Sequence, residues 1–397
     1  MKISMAALLA GLLAFGANAA DAPPVKLGVL TDQSGVFADL AGRGSVTAAE
    51  MAVEDFGGQV LGRKIQVIAA DHQNKPDIGL AIAKQWYDTE DVDVILDVPQ
   101  SAIALGVQQI ARERNKLVLY SSAGTSDLTG TACSPVGIQW TWDTDGQSRS
   151  IAKAIIQEGG DTWFFLTADF AFGKAMERDA SHFVEQNGGK VLGAVHHPLN
   201  TSDFSSFLVT AQASKAKIVA LANGGTDTAN SIKQAAEFGL ARGGQKLAAL
   251  AIYITDVNAL GLEKAQGLLL AESWYWDQDA ASRAWSQRFF AVRKAMPTSI
   301  QAGVYSSVMH YLNAVKATGS LDGPKVATQM RAMPVDDFFA KGGAIRANGR
   351  MVHDTLLMEV KRPADSKYPW DYYHILRRIP GEQVFRSAAE SGCPLTK

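Results

Sequence analysis

VKLGVLTDQSGVFADLAGRGSVTAAEMAVEDFGG, residues 25–58, holds a strand, a loop and a helix in succession. Val25 to Leu30 is a short apolar run of strand length, bounded by the turn residues Thr31-Asp32-Gln33-Ser34-Gly35. Val46, Ala49, Val53 and Phe56 then recur at helical spacing on one face, and Gly57-Gly58 ends the pattern. The same rhythm continues outward. Lys64–Ala69, Val92–Val98 and Lys116–Tyr120 read as further buried strands, with helical patterns at 78–88 and 102–114 between them. Strand, helix, strand at this spacing implies parallel strands with right-handed crossovers, hence a doubly wound α/β sheet.

A second unit of similar size follows. Its strands are expected at Thr162–Leu166, Lys190–Val195, Lys217–Ala222 and Lys246–Tyr253, with helices at 171–187, 203–214 and 227–239. Gln139 to Asp145, between the units, and Gln266 to Trp276, after the second, read as extended chain. Helical patterns return at 280–296, 301–318 and 324–333, followed by an extended Arg350–Val360. A chain that builds one α/β unit, then another, and then comes back with helices suggests two lobes joined by several crossings.

The 397 residues agree with about two domains at roughly 150 residues each. With 38 basic and 40 acidic residues the net charge is -2, which speaks against nucleic-acid binding or a polybasic membrane patch. At the N-terminus, Lys2, the apolar run Ile3–Gly16 and Ala17-Asn18-Ala19 read as a secretory signal peptide cleaved near Ala19. An apolar stretch of about 14 residues spans about 21 Å as a helix, short of the hydrocarbon core of about 30 Å. No cysteine follows the cleavage site to carry a lipid, so stable membrane insertion is not expected. Export permits a disulfide, and Cys133 and Cys393, 260 residues apart, are the only candidates. Closing so long a loop corresponds to roughly 5 kcal/mol in the chain-entropy model, an upper figure.

Catalytic signatures are missing. There is no Walker loop, H-E-x-x-H, C-x-x-C or G-x-S-x-G. Ser150-Ile151-Ala152-Lys153 matches S-x-x-K without the motifs that accompany it in acyl-enzymes, and Gly42-Arg43-Gly44 lacks the third glycine of a dinucleotide fingerprint. His196 and His197 are adjacent on a strand, so they point to opposite faces and cannot readily share a metal. No enzyme activity, metal or cofactor is therefore expected.

Doubly wound sheets bind ligands beyond the carboxyl ends of their strands. The loops there are Thr31–Asp39, Pro99-Gln100-Ser101 and Ser121-Ser122-Ala123-Gly124-Thr125-Ser126-Asp127. Backbone N–H groups and hydroxyls at helix starts suit an anion such as a carboxylate, and equally suit plain helix capping.

The 25–58 stretch, LYSSAGTSDLTG, FFLTADFAFGKAMERDA, TSDFSSF and IKQAAEFGL, in this order, resemble the leucine/isoleucine/valine-type periplasmic solute-binding proteins of ABC importers. The resemblance runs from about Val25 to the end, and GGAIRANGRMVHDT and SKYPWDYYHILRRIPGE resemble a branch that includes binders of aromatic and other organic acids. It implies a type I periplasmic binding protein fold of two doubly wound lobes joined by three crossovers. By that analogy one lobe takes 21–143 plus 275–352, and the other 144–274 plus 353–397. The implied location is the periplasm, the partner an importer permease, and the state a monomer. The family's carboxylate-holding loops correspond to Gln100, Ser101, Ser122, Ala123, Gly124 and Thr125. Its second-lobe positions correspond to Phe172, Asn223 and Gly224.

Amino-acid binders of this family surround the α-ammonium with an acid or tyrosines, and the matched positions here offer no obvious carboxylate. A buried, unpaired ammonium costs several kcal/mol, so a small acid without one is favoured. Asp169 and Asp227 remain as acids that would restore ammonium binding. Phe37, Phe172, Tyr253, Tyr275 and Trp276 either wall a pocket for a ring or serve as core and hinge packing. The resulting expectation is capture of an aromatic or apolar carboxylate. Branched-chain amino acid binding and an exported ligand sensor for a regulatory partner are the alternatives.

Overall fold

The computed structural model describes residues 22–396; the leader expected over residues 1–19 lies outside them. The first sheet contains β1 (Val25–Thr31), β2 (Gln59–Val60), β3 (Arg63–Asp71), β4 (Val94–Asp97), β5 (Leu117–Tyr120) and β6 (Gly137–Gln139), in the order β2-β3-β1-β4-β5-β6. All neighbours are parallel except β2, which forms a hairpin with β3. Helices α1 (Gly42–Phe56), α2 (Pro76–Asp88) and α3 (Ser101–Glu113) make the crossovers. β4 and β5 are buried throughout, which is why they read as continuous apolar runs rather than alternating ones.

The second sheet has the order β10-β9-β7-β8, all parallel, from β7 (Thr162–Ala168), β8 (Lys190–His197), β9 (Ile218–Ala222) and β10 (Lys246–Ala249). Around it lie α4 (Thr144–Gln157), α5 (Ala171–Gln186), α6 (Ser205–Ala213), α7 (Thr226–Glu237), α8 (Ile254–Leu260) and α9 (Leu262–Ala265). β11 (Leu269–Glu272) follows, and then α10 (Ala280–Arg293), α11 (Ser299–Thr318) and α12 (Gly323–Ala332) return to the first lobe, where α11 packs along α1. The short pair β12 (Ala344–Ile345) and β13 (Met351–Val352) precedes β14 (Thr355–Val360) and β15 (Tyr373–Ile379), which join β11 in an antiparallel third sheet. α13 (Gly381–Val384) leads into the tail.

The chain thus passes between lobes near residues 141, 273 and 353, and the three passages are stitched at one atom. The Thr141 carbonyl accepts from Ser273 Oγ at 2.9 Å and from His353 Nε2 at 2.6 Å. The other ring nitrogen of His353, Nδ1, faces the Asp354 carbonyl at 2.7 Å, so both ring nitrogens abut acceptors. Fully buried Arg350 donates to the Trp142 carbonyl at 2.9 Å and stacks on Phe385, fixing the same region. The expected bridge is present: Cys133 and Cys393 are bonded, their Cα atoms 5.7 Å apart.

Two expectations are corrected. Gln139 to Asp145 is not extended throughout, because the Asp143 carboxylate accepts the Gly146 N–H at 2.7 Å and starts α4 at Thr144. Lys246 to Tyr253 is not one strand: β10 ends at Ala249, and Asp256, accepting the Tyr253 N–H at 2.9 Å, opens α8. β15 was not foreseen. No helix among the described residues is long and apolar enough to cross a membrane.

Candidate functional site

Each parallel sheet has a point where successive strands are added to opposite sides of a founding strand, between β1 and β4 in the first and between β7 and β9 in the second. Loops leaving the carboxyl ends diverge there and open a crevice. The two crevices face each other. Between them lies a narrow cavity of about 20 Å³, lined by Phe37 after β1, Pro99 after β4, Ser122 and Gly124 after β5, Phe172 after β7, Gly224 after β9, and Ala251 and Tyr253 after β10. Leu40, Trp142 and Ile300 complete the wall. Larger concavities occur elsewhere. One of about 220 Å³ lies at the amino ends of β9, β10 and β11, and one of about 480 Å³ lies over Arg149, Arg377 and Arg378 at the end of β15; neither sits at the carboxyl ends of the two parallel sheets.

The wall is mostly aromatic and aliphatic. Trp142 meets Phe172 and Tyr253 edge-on, with centroids 5.7 and 6.2 Å apart, geometry typical of favourable aromatic pairs. Across the cleft, the Thr226 N–H donates to the Val36 carbonyl at 3.1 Å, so the two lobes are closed on each other. Polar groups are few. The Ala123 and Gly124 N–H groups have no acceptor among the described residues, and Trp142 Nε1 is a buried donor without a partner. Helix α5 begins at the wall without a side-chain cap, which leaves its first N–H groups to the cleft. No acid among the described residues lines the cavity. Tyr253 is backed by two buried acids, Asp256 and Glu272, which burial pushes up to about 7 and about 8.

Six of the expected site residues come together here: Phe37, Ser122, Gly124, Phe172, Gly224 and Tyr253. The side chains of the other five are engaged elsewhere or small. Gln100 caps α3, its Oε1 accepting the Ile103 N–H at 2.7 Å. Ser101 Oγ accepts the Thr125 N–H at 3.3 Å, and the Thr125 hydroxyl turns to Asp127. The Ala123 carbonyl accepts from Gln139 Nε2 at 2.8 Å. Asn223 bonds His197, Ser231 and Thr228. Tyr275 and Trp276 lie away from the cavity, both donating to the Trp370 carbonyl. Asp169 is exposed and paired with Lys174 at 2.9 Å, while Asp227 accepts the Asn200 and Thr201 N–H groups at 3.0 Å. His196 reaches Glu177 at 3.0 Å and His197 is buried against Phe204, on opposite faces of β8.

Sequence reasoning missed Leu40, Pro99, Trp142, Ala251 and Ile300. Pro99, Ala251 and Leu40 belong to strand-end loops or their continuations and were within reach of that rule. Trp142 and Ile300 come from a crossing and from the start of α11. There Thr298 caps the helix, and its hydroxyl donates to the Leu40 carbonyl at 2.8 Å.

The pattern of a family described as periplasmic binding protein matches residues 24–367. The Leu/Ile/Val-binding protein homolog 6 of Brucella melitensis is 26% identical over 381 residues, covering 92% of this chain and 95% of that protein. A periplasmic binding protein from Burkholderia mallei is 52% identical with a TM-score of 0.93, covering 94% of this chain and 99% of its own. A branched-chain amino acid ABC transporter periplasmic ligand-binding protein from Burkholderia xenovorans is 39% identical, with a TM-score of 0.83 over 94% of this chain and 100% of its own. A solute-binding protein from R. palustris in complex with benzoate shares the fold at 20% identity, with a TM-score of 0.81 over 94% of this chain and 100% of its own. With its two facing α/β lobes and its cleft at their strand ends, the chain belongs to the periplasmic binding protein family, in the Leu/Ile/Val-binding branch that serves ABC transporters.

Proposed function

We propose that this periplasmic solute-binding protein captures a small aromatic or apolar carboxylate in its cleft and presents the closed form to the permease of an importer. The observation that carries this reading is the composition of the cavity wall: four aromatic side chains, aliphatic Leu40 and Ile300, unpaired N–H donors and no acid. Such a lining pairs a carboxylate with donors and a ring with ring edges, and offers an ammonium no counter-charge. Relatives of the same fold were seen with benzoate and with 4-hydroxybenzoate. In this reading the lobes are 21–143 with 275–352 and 144–274 with 353–397, and the protein works as a monomer.

Branched-chain amino acid binding is the second reading, favoured by the name of the 39% identical relative. Thermal unfolding of the purified protein with benzoate, 4-hydroxybenzoate, cinnamate, leucine, isoleucine and valine separates the two. A ligand at 100 times its Kd should stabilise the fold by about 2.7 kcal/mol. Stabilisation is expected from at least one aromatic acid. Stabilisation by leucine and by none of the aromatic acids would overturn the proposal.

A further inference from the structure

Behind Ser122 of the cavity wall stands an acid with no counter-ion. Asp97 ends β4 fully buried, with φ 79°, and Val98 follows at φ 53°. A β-branched residue in the left-handed region is strained, and such strain persists where the surroundings enforce it. The kink precedes Pro99 of the cavity wall and leaves the Asp97 carboxyl among hydroxyls. Thr31 of β1 donates to Oδ2 at 2.7 Å, and the Ser122 hydroxyl donates to Oδ1. From α1 it is Ser45 that faces it, and no charged side chain of these elements acts on it. Asp32, beside Thr31, is occupied by the Gly35 and Phe37 N–H groups and by Asn74. Burial raises the Asp97 pKa above its ordinary value.

A serine hydroxyl has a single proton. With Asp97 ionised, Ser122 gives that proton to Asp97 and turns only lone pairs to the cavity, which repels a carboxylate. With Asp97 protonated, the acid donates to Ser122, and the serine proton is released to the ligand. We propose that Asp97 is a positioning residue that sets, through Ser122, whether the cleft accepts an anion, so that capture of a carboxylate takes up one proton. This inference rests on the carboxylate reading of the site. By linkage, the bound anion holds Asp97 protonated to the same extent that the proton tightens binding.

The test is calorimetric titration of the full protein with benzoate from pH 6 to 9, a range in which benzoate stays ionised, in buffers of different ionisation enthalpy. The expected result is a Kd that rises with pH, by up to about tenfold per unit where Asp97 titrates, with net proton uptake approaching one. Asp97→Asn, whose amide donates to Ser122 at every pH, should bind tightly and without pH dependence. If that variant does not fold, Ser122→Ala serves: cutting the relay should weaken binding and flatten the pH profile. A wild-type Kd that is constant or that falls with rising pH, with no proton uptake, would overturn the inference and leave the carboxylate reading intact. Failure of benzoate, 4-hydroxybenzoate and cinnamate all to bind at pH 6 would remove both.

Discussion

Gly124 shows how little room the cleft leaves. A Cβ placed there would come within 2.5 Å of the Trp142 ring and 3.0 Å of Phe172, the two rings that close the wall. Gly124→Ala should therefore push the rings into the ligand's space, lowering affinity at least tenfold by titration while the circular dichroism spectrum stays unchanged. Phe37 and Gly124 were legible because they lie in loops at strand carboxyl ends, where chemistry gathers in this fold, whereas Phe172 and Tyr253 were legible through the family resemblance. Gln100 satisfied the same rule, but its amide closes the first turn of α3, and position alone does not distinguish a cap from a ligand contact. Trp142 was illegible because nothing local shows that a crossing segment bends into the cleft. Ile300 was illegible because the Thr298 cap that aims it works through a carbonyl, Leu40, far away in the chain.

At the level of elements, short buried strands were legible and their ends were not. The apolar run of Leu247 to Tyr253 continues past β10, so hydrophobicity alone carried the strand into the loop and α8. β15 escaped notice because His374 to Arg378 are all exposed and leave no buried stripe. β11, at the other edge of the third sheet across β14, carries the buried Glu272 beside Ser299 of α11 and Tyr373 of β15. Burial pushes this acid from 4.5 to about 8. Its folded-state pKa is raised, so the stability it contributes is full below about pH 4.5 and is lost as pH rises through 8. Glu272→Gln removes that loss. At pH 8 the variant should be more stable than wild type in urea by on the order of 3 kcal/mol, the difference vanishing toward pH 4.5. Equal pH profiles for the two proteins would show that Glu272 does not titrate in this range.

For the whole molecule, function depends on the lobes meeting, and the contact of Thr226 with Val36 is one place where they do. Gly225 beside it has φ 61°, and a Cβ there would come within 2.0 Å of the Val36 carbonyl. Gly225→Ala should hold the lobes apart, so that small-angle scattering gives a larger radius of gyration and ligand no longer contracts it. Two lobes with several crossings were legible from the return of helices after the second unit. The single carbonyl of Thr141 that joins all three crossings was not, since it depends on contacts between residues more than a hundred positions apart. The bond between Cys133 and Cys393 adds a topological fact to this architecture, because it closes most of the second unit, the returning helices and the tail into one covalent ring. A protease that cuts that ring once, anywhere between the two cysteines, opens it without releasing a fragment. The nicked protein remains one molecule until a reductant divides it.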